Sequence, residues 1–250
     1  MPCSSSALDQ RFPQVTQSRR RYGLTGHLPM IKAVLFDLDG TLVDTAPDLS
    51  LALNRLLEEQ GRSQLALQTT RPWTSSGARG MLKVGFGIDP GHPDFERLRI
   101  RFLDLYETGL CIESKLFPGM NDLLRSLENR GLPWGVVTNK SQRFTVPLID
   151  ALGLATRAAC VVSGDTTAHP KPHPMPLLYA AEQIRIAPAS CLYVGDDLRD
   201  VQSARAAGMP VIAAAFGYLG EGGKPSEWGA DAVIAAPMET LNYVGKPPSM

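Results

Sequence analysis

Ile31-Lys-Ala-Val-Leu-Phe-Asp-Leu-Asp-Gly-Thr-Leu-Val-Asp-Thr45 is the stretch that decides the fold. Its apolar run, Ala33 to Phe36, is too short for a helix and carries β-branched and aromatic residues, so it reads as a buried strand. The strand stops at charge. Side chains alternate with period two, so Asp37 and Asp39 project to one side just past the strand end while Leu38 points the other way. Gly40 allows a sharp turn there, and Thr41 offers a hydroxyl to fix it. Two neighbouring carboxylates repel unless one stays protonated or a cation lies between them, and a hard, oxygen-liganded ion such as Mg2+ answers that repulsion. A calcium loop of the EF-hand type fails, because Gly40 is fourth from Asp37 rather than sixth. A solvated acidic turn is the plain alternative, and the downstream sequence decides against it.

The chain has 250 residues, 44% hydrophobic and 20% charged, enough for one good core and a smaller one. Lys+Arg and Asp+Glu are both 25 and no polybasic block occurs, so neither a nucleic acid nor a membrane surface is the expected partner. A small soluble molecule fits better, with the protein a monomer or small homo-oligomer. Cys3, Cys111, Cys160 and Cys191 are scattered without a C-x-x-C pair, against a zinc site or a disulfide framework and in favour of a reducing cytoplasm. His169 and His173 are four apart, but Pro170 and Pro172 forbid the helix that would set them on one face as metal ligands. Residues 1–29, Ser- and Arg-rich with Asp9 their only acid, read as a disordered leader; they lack the apolar run of a signal peptide, and only weakly resemble a transit peptide.

After the acidic turn, Asp44 or Thr45 is placed to cap a helix with Pro47 and Asp48 in its first turn. Leu49, Ala52, Leu53, Leu56 and Leu57 then recur at helical spacing up to Gly61. Helical patterns continue to about Glu113, with one helix ending at Phe86 and another bearing Phe95, Leu98, Phe102, Leu105 and Tyr106. Beyond Phe117 strands and helices alternate: Trp134–Val137, Ala159–Ser163, Cys191–Gly195, Pro210–Ala214 and Ala232 onward read as strands. Such alternation predicts right-handed crossovers and an α/β fold, a doubly wound (Rossmann-like) parallel sheet. The expected organisation is a core of residues 30–47 and 116–250, with a small all-helical domain, 48–115, inserted after the first strand.

In an open parallel sheet the residues just past the carboxyl ends of the strands converge on one crevice. Here these are Asp37 and Asp39, Thr138 and Asn139, Lys171 from a proline-rich turn, and Asp196, Asp197 and Asp200. Acids for a cation, a lysine, a hydroxyl and an amide make the kit for a metal-bridged phosphate. Gly220-Glu-Gly-Gly-Lys-Pro225 is no P-loop, since Tyr218 stands five before Gly223 and Pro225 replaces the required Ser or Thr.

Four motifs in fixed order, D-L-D-G-T, V-V-T-N, K-P-H-P and G-D-D-L-R-D, carry a resemblance to the haloacid dehalogenase-like phosphatases over nearly all of Ile31 to Leu241. The helical insert matches the position of that family's cap domain. The resemblance implies Asp37 as nucleophile, carrying a transient aspartyl-phosphate, and Asp39 as general acid and then base. It implies Mg2+ held by Asp37, Asp196 and the backbone carbonyl of Asp39, with Asp200 and, less directly, Asp197 orienting the ligands. Thr138, with the backbone N–H groups of Asn139 and Leu38, would hold phosphate oxygens, and Lys171 would offset charge building up on them. Lys140 reads as a plain surface charge.

Within the family, dehalogenation, phosphonate cleavage and phosphomutase chemistry fit these motifs poorly, and simple phosphomonoester hydrolysis remains. V-V-T-N-K, S-G-D-T-T, K-P-H-P-x-P-L-L-Y-A-A and the late F-G-Y are similar to bacterial phosphoglycolate phosphatases. Ser76-Gly-Ala-Arg79, G-D-D-L-R-D and Glu227-Trp-Gly-Ala-Asp231 are similar to N-acetylmuramic acid 6-phosphate phosphatases, and Arg79 is placed to read a substrate carboxylate. A catalytically idle binding module is the non-enzymatic alternative, and four intact motifs argue against it.

Overall fold

A computed structural model describes residues 30–220 and 222–245; the expected leader and Cys3 lie outside the described residues. The chain builds a six-stranded parallel sheet in the order β5-β4-β1-β6-β7-β8. The strands are β1 (Ala33–Phe36), β4 (Trp134–Val137), β5 (Val161–Val162), β6 (Cys191–Gly195), β7 (Val211–Ala214) and β8 (Ala232–Ile234). The central strand β1 pairs with β4 on one side, Val34 opposite Trp134, and with β6 on the other, Val34 opposite Leu192. The chain thus runs outward from β1 through β4 and β5, crosses back, and continues through β6 to β8. The reversal sits at β1, where the crevice of such a sheet opens.

Strand alternation sorts the core. Val34, Phe36, Val136, Leu192 and Val194 pack on one face against Leu123, Leu124 and Leu127 of α5 (Met120–Asn129) and Leu148 of α6 (Gln142–Ala151). Ala33, Leu35, Val137 and Tyr193 pack on the other, against Leu177 and Ala180 of α7 (Met175–Gln183) and Val201 and Ala204 of α8 (Leu198–Ala206). Both faces are covered, which is why β1 shows continuous apolar residues rather than alternation.

Between β1 and β4 the chain forms a helical unit of α1 (Ala46–Glu59), the single turn α2 (Leu67–Thr70), α3 (Gly77–Phe86) and α4 (Phe95–Thr108). Leu53, Leu56 and Leu57 of α1 bury against Met81 and Leu82 of α3 and Leu98 and Phe102 of α4, an apolar cluster of its own that also takes in Phe144 from α6. Where the chain enters and leaves this unit, β2 (Val43–Asp44) and β3 (Lys115–Leu116) make a two-residue antiparallel ladder that the sequence pattern did not announce. Asp48 ties the two crossings further, accepting from the Glu113 N–H at 2.8 Å and the Ser114 hydroxyl at 2.6 Å.

The start of α1 departs from the expectation. Thr45 occupies the N-cap position, but neither its side chain nor that of Asp44 caps the helix. The phenol oxygen of Tyr218 accepts from the N–H groups of Thr45 and Ala46, at 2.8 and 2.9 Å, and donates to Asp44 Oδ1 at 2.7 Å. A residue 173 positions away therefore does the capping, and the Thr45 hydroxyl is left to donate to Asp39.

His169 and His173 lie in the proline-rich turn before α7. No helix joins them, as the prolines dictate, and their rings lie 4.6 Å apart between centroids.

Candidate active site

The carboxyl ends of β1, β4 and β6 and the turn before α7 meet at one crevice, and the helical unit forms its opposite wall. Asp37, Asp39, Thr138, Asn139, Lys171, Asp197 and Asp200 all line a cavity of about 360 Å³. Side-chain oxygens of Asp37, Asp196 and Asp200 lie within 4.8 Å of one another. The four sequence motifs, far apart in the chain, are thus brought together.

Lys171 is the cation at the centre of this acidic group, and it is 4% exposed. Its three ammonium protons go to Asp200 Oδ1 at 2.7 Å, the Tyr193 hydroxyl at 2.8 Å and the Val137 carbonyl at 3.1 Å. Asp37 Oδ1 is 2.8 Å from the same nitrogen, an ion pair outside the ammonium's three directed hydrogen bonds. Asn139 holds the lysine's backbone in place: its carboxamide donates to the Lys171 carbonyl and accepts from the Lys171 N–H, both at 2.9 Å. The Asn139 side chain is therefore a clamp on the lysine turn.

Asp196 is fully buried, accepting from the Thr41 hydroxyl and the Tyr218 N–H, both at 2.8 Å. Gly40, with φ +91°, makes this approach possible, because a Cβ there would stand 2.2 Å from Asp196 Oδ2. Asp200 and Asp197 form a reciprocal capping box at the start of α8. Both Asp197 oxygens are taken by Arg199, at 2.8 and 2.9 Å, and Asp197 is not among the three clustered carboxylates.

Burial pushes the Asp37 carboxyl up to about 7; Asp200 and Asp39 add to the rise while Lys171 opposes it. Burial, with Asp37 and Asp200 beside it, likewise drives Asp196 well above the usual carboxylate range, against the hydrogen bonds from Thr41 and Tyr218. Burial alone would lower the Lys171 ammonium, but Asp200 and Asp37 outweigh it and hold it above the ordinary lysine value. Three clustered carboxylates share one lysine and two of them resist ionising, a strain that a divalent cation would relieve, and an all-oxygen donor set suits a hard ion. The residues fit the group.

Two expectations need correction. The first is the side-chain pairing of the two leading acids, since each carboxylate has its own lysine, Asp37 with Lys171 and Asp39 with Lys140. The second is Lys140, which is not a surface charge: its side chain is 8% exposed, its Nζ lies 2.9 Å from Asp39 Oδ1 and 4.6 Å from the centre of the Tyr106 ring. Asp39 Oδ1 also accepts from the Thr45 hydroxyl at 2.5 Å. Burial works against the Lys140 charge, but Asp39 and Tyr106 hold its pKa above the ordinary lysine value. Thr138 is buried, and its hydroxyl accepts from the Lys140 N–H at 3.1 Å. Arg79 lines a neighbouring cavity with Trp73, Lys83 and Asp89 instead. The arginines that do line the crevice are Arg99 of α4 and Arg199 of α8. Arg199 stood inside G-D-D-L-R-D, a signal that was available; Arg99 carried none.

The description "haloacid dehalogenase-like hydrolase" matches residues 34–214. An N-acetylmuramic acid 6-phosphate phosphatase of Pseudomonas putida is 44% identical over 214 residues, 86% of this chain and 96% of that one. A phosphoglycolate phosphatase of Xanthomonas campestris pv. campestris is 44% identical over 209 residues, 82% of this chain and 93% of that one. A crystal structure of a predicted phosphoglycolate phosphatase from Haemophilus somnus is 27% identical, covers 88% of this chain and 99% of its own, and superposes with a TM-score of 0.75. With the motifs gathered at one rim of the sheet and likeness spanning most of the chain, the protein belongs to the haloacid dehalogenase-like hydrolase family, as an enzyme of its phosphatase group.

Proposed function

We propose that the protein hydrolyses the phosphomonoester of a small phosphorylated metabolite through a covalent intermediate on Asp37. The observation that carries this reading is the convergence of Asp37, Asp196 and Asp200, with oxygens within 4.8 Å of one another, and of the Lys171 ammonium 2.8 Å from Asp37 Oδ1. Asp37 attacks phosphorus, the P–O bond to the leaving alcohol breaks, and Asp39 supplies the proton that the alkoxide needs. Because Asp39 Oδ1 is occupied by Thr45 and Lys140, Oδ2 is the oxygen left for proton transfer. Asp39 then takes a proton from the water that attacks the aspartyl-phosphate, which releases phosphate and restores Asp37. Lys171 and Thr138 stand on the rim where phosphoryl oxygens would lie, the lysine offsetting their negative charge.

Mg2+ is the ion we assign to Asp37, Asp196 and the backbone carbonyl of Asp39, with Asp200 in support; when bound it would offset the charge of the phosphoryl group. The scattered cysteines support a reducing compartment such as the cytoplasm. Of the substrates that the relatives' names point to, 2-phosphoglycolate is the first reading. N-acetylmuramic acid 6-phosphate is the second, favoured by a cavity of about 360 Å³, within the roughly 300–1,000 Å³ of ligand pockets and roomy for a two-carbon leaving group.

The test is phosphate release from p-nitrophenyl phosphate with and without Mg2+. The parent is expected to turn over only with the metal, and Asp37→Asn to lose about a thousandfold or more at any Mg2+ concentration. Activity retained in that variant would remove Asp37 from its role.

A further inference from the structure

Among the described residues, five buried side-chain oxygens have no hydrogen-bond partner within the protein: Asp37 Oδ1 and the hydroxyls of Thr74, Ser75, Tyr106 and Thr240. Four of these five residues, all but Thr240, line the same cavity. Thr74 and Ser75 belong to the short 3₁₀ segment Arg71–Ser76, and Tyr106 comes from α4, so separate parts of the helical unit deliver the three hydroxyls. Thr74 is 2% exposed and Tyr106 1%. The Tyr106 hydroxyl makes no directed hydrogen bond, and the Lys140 ammonium lies beside it, 4.6 Å from the ring centre. An unpaired buried hydroxyl is destabilising, a penalty that three at one cavity repeat unless something fills them.

The rest of the wall narrows the chemistry. Leu49, Phe102 and Phe144 are apolar lining. Each cation of the cavity already has a carboxylate: Lys140 with Asp39 at 2.9 Å, Lys171 with Asp200 at 2.7 Å, Arg99 with Glu96 at 2.9 Å and Arg199 with Asp197 at 2.8 Å. What this surface offers a leaving group is therefore neutral hydroxyl recognition beside an apolar wall, not an uncommitted positive charge. A ring with C–H faces and several hydroxyls matches both halves; a short carboxylate can accept from the hydroxyls but leaves the apolar wall bare.

We infer that Thr74, Ser75 and Tyr106 form a subsite that reads the hydroxyls of a cyclic, sugar-like leaving group and so sets the substrate class. The inference rests on the phosphatase reading and carries the second of its two substrates. Ser75 is fixed for the task by Arg199, which donates to its carbonyl at 2.8 Å.

The experiment measures kcat/KM with Mg2+ for N-acetylmuramic acid 6-phosphate, N-acetylglucosamine 6-phosphate, 2-phosphoglycolate and p-nitrophenyl phosphate. The parent is compared with Thr74→Val, Thr74→Ser and Tyr106→Phe. The parent is expected to prefer at least one sugar phosphate over 2-phosphoglycolate. The ratio of sugar phosphate to p-nitrophenyl phosphate is expected to fall about tenfold or more in Thr74→Val and Tyr106→Phe, chiefly through KM, and to recover in Thr74→Ser. Losses that run parallel on all substrates, or a parent that prefers 2-phosphoglycolate to both sugar phosphates, would overturn the subsite while leaving the phosphatase standing. No phosphate release from any of the four sinks the phosphatase reading and the subsite with it.

Discussion

Arg199 of α8 donates to the Ser75 carbonyl, 124 residues earlier in the chain, while its guanidinium also holds both oxygens of Asp197. One side chain thus joins the sheet to the wall that faces it. Arg199 is 38% exposed along its side chain, so its ion pair is screened and adds little to stability. Its removal acts on position. Arg199→Gln is expected to raise KM for p-nitrophenyl phosphate about three- to tenfold with a smaller change in kcat and an unfolding midpoint within about 2 °C of the parent. A fall in kcat at constant KM would assign the arginine to the chemical step instead.

Removing Lys171 leaves Asp37 and Asp200 facing Asp196 with no ammonium between them. Breaking such a buried pair costs on the order of 3–5 kcal/mol. Lys171→Met should therefore unfold at markedly lower urea than the parent in EDTA, and saturating Mg2+ should recover part of the difference. A variant as stable as the parent without metal would show that the ammonium does not hold this acidic group together.

The raised Asp37 and Asp196 carboxyls bind protons more tightly folded than unfolded. Their contribution to stability is fully present below about pH 4, near the ordinary aspartate value, and for Asp37 is lost as pH rises through about 7. A divalent cation takes over where the proton leaves. Calorimetry should show Mg2+ raising the melting temperature by several degrees, roughly 4–8 °C, at pH 8 and by about 1 °C or less at pH 5. Equal shifts at both values would separate metal binding from these carboxyls.

Leaving-group dependence tests Asp39. Nitrophenolate leaves without help from an acid, whereas a sugar alkoxide needs a proton, and both share the later attack by water. Asp39→Asn is expected to release one equivalent of nitrophenol per enzyme in a burst and then stall, with hydrolysis of an alkyl phosphate down about a hundredfold or more. A steady rate with no burst would contradict a role in both half-reactions.

The sheet was legible because both faces of β1 are covered, which prints an unbroken apolar run, Ala33 to Phe36, ending at the first carboxylate. Asp196 and Lys171 were legible because strand ends converge whatever the loops between them. Lys140 was not: one residue past Asn139 a lysine looks solvated, and only the fold sets Asp39 on one side of it and Tyr106 on the other. Nor can helical spacing say which arginine of a helical wall turns toward a crevice. The motif Ser76-Gly-Ala-Arg79 points to Arg79, yet Arg99 is the one that lines the crevice, its pairing with Glu96 three positions back giving it the look of an ordinary surface ion pair. Tyr218 was visible only as the last letter of F-G-Y, and its service to α1 and Asp44 depends on a contact across most of the chain.

The parallel sheet gives the molecule two unlike ends, and its glycines record the difference. At Gly40 and Gly217 an added methyl would strike Asp196 at 2.2 and 2.3 Å, whereas at Gly131 and Gly208, in the turns that lead into β4 and β7, it would meet nothing within 4 Å. Grafted peptides, affinity tags or surface anchors therefore belong just after Gly131 and Gly208, with these two glycines kept for their φ of +67° and +71°, and the working end of the enzyme is left open to its traffic.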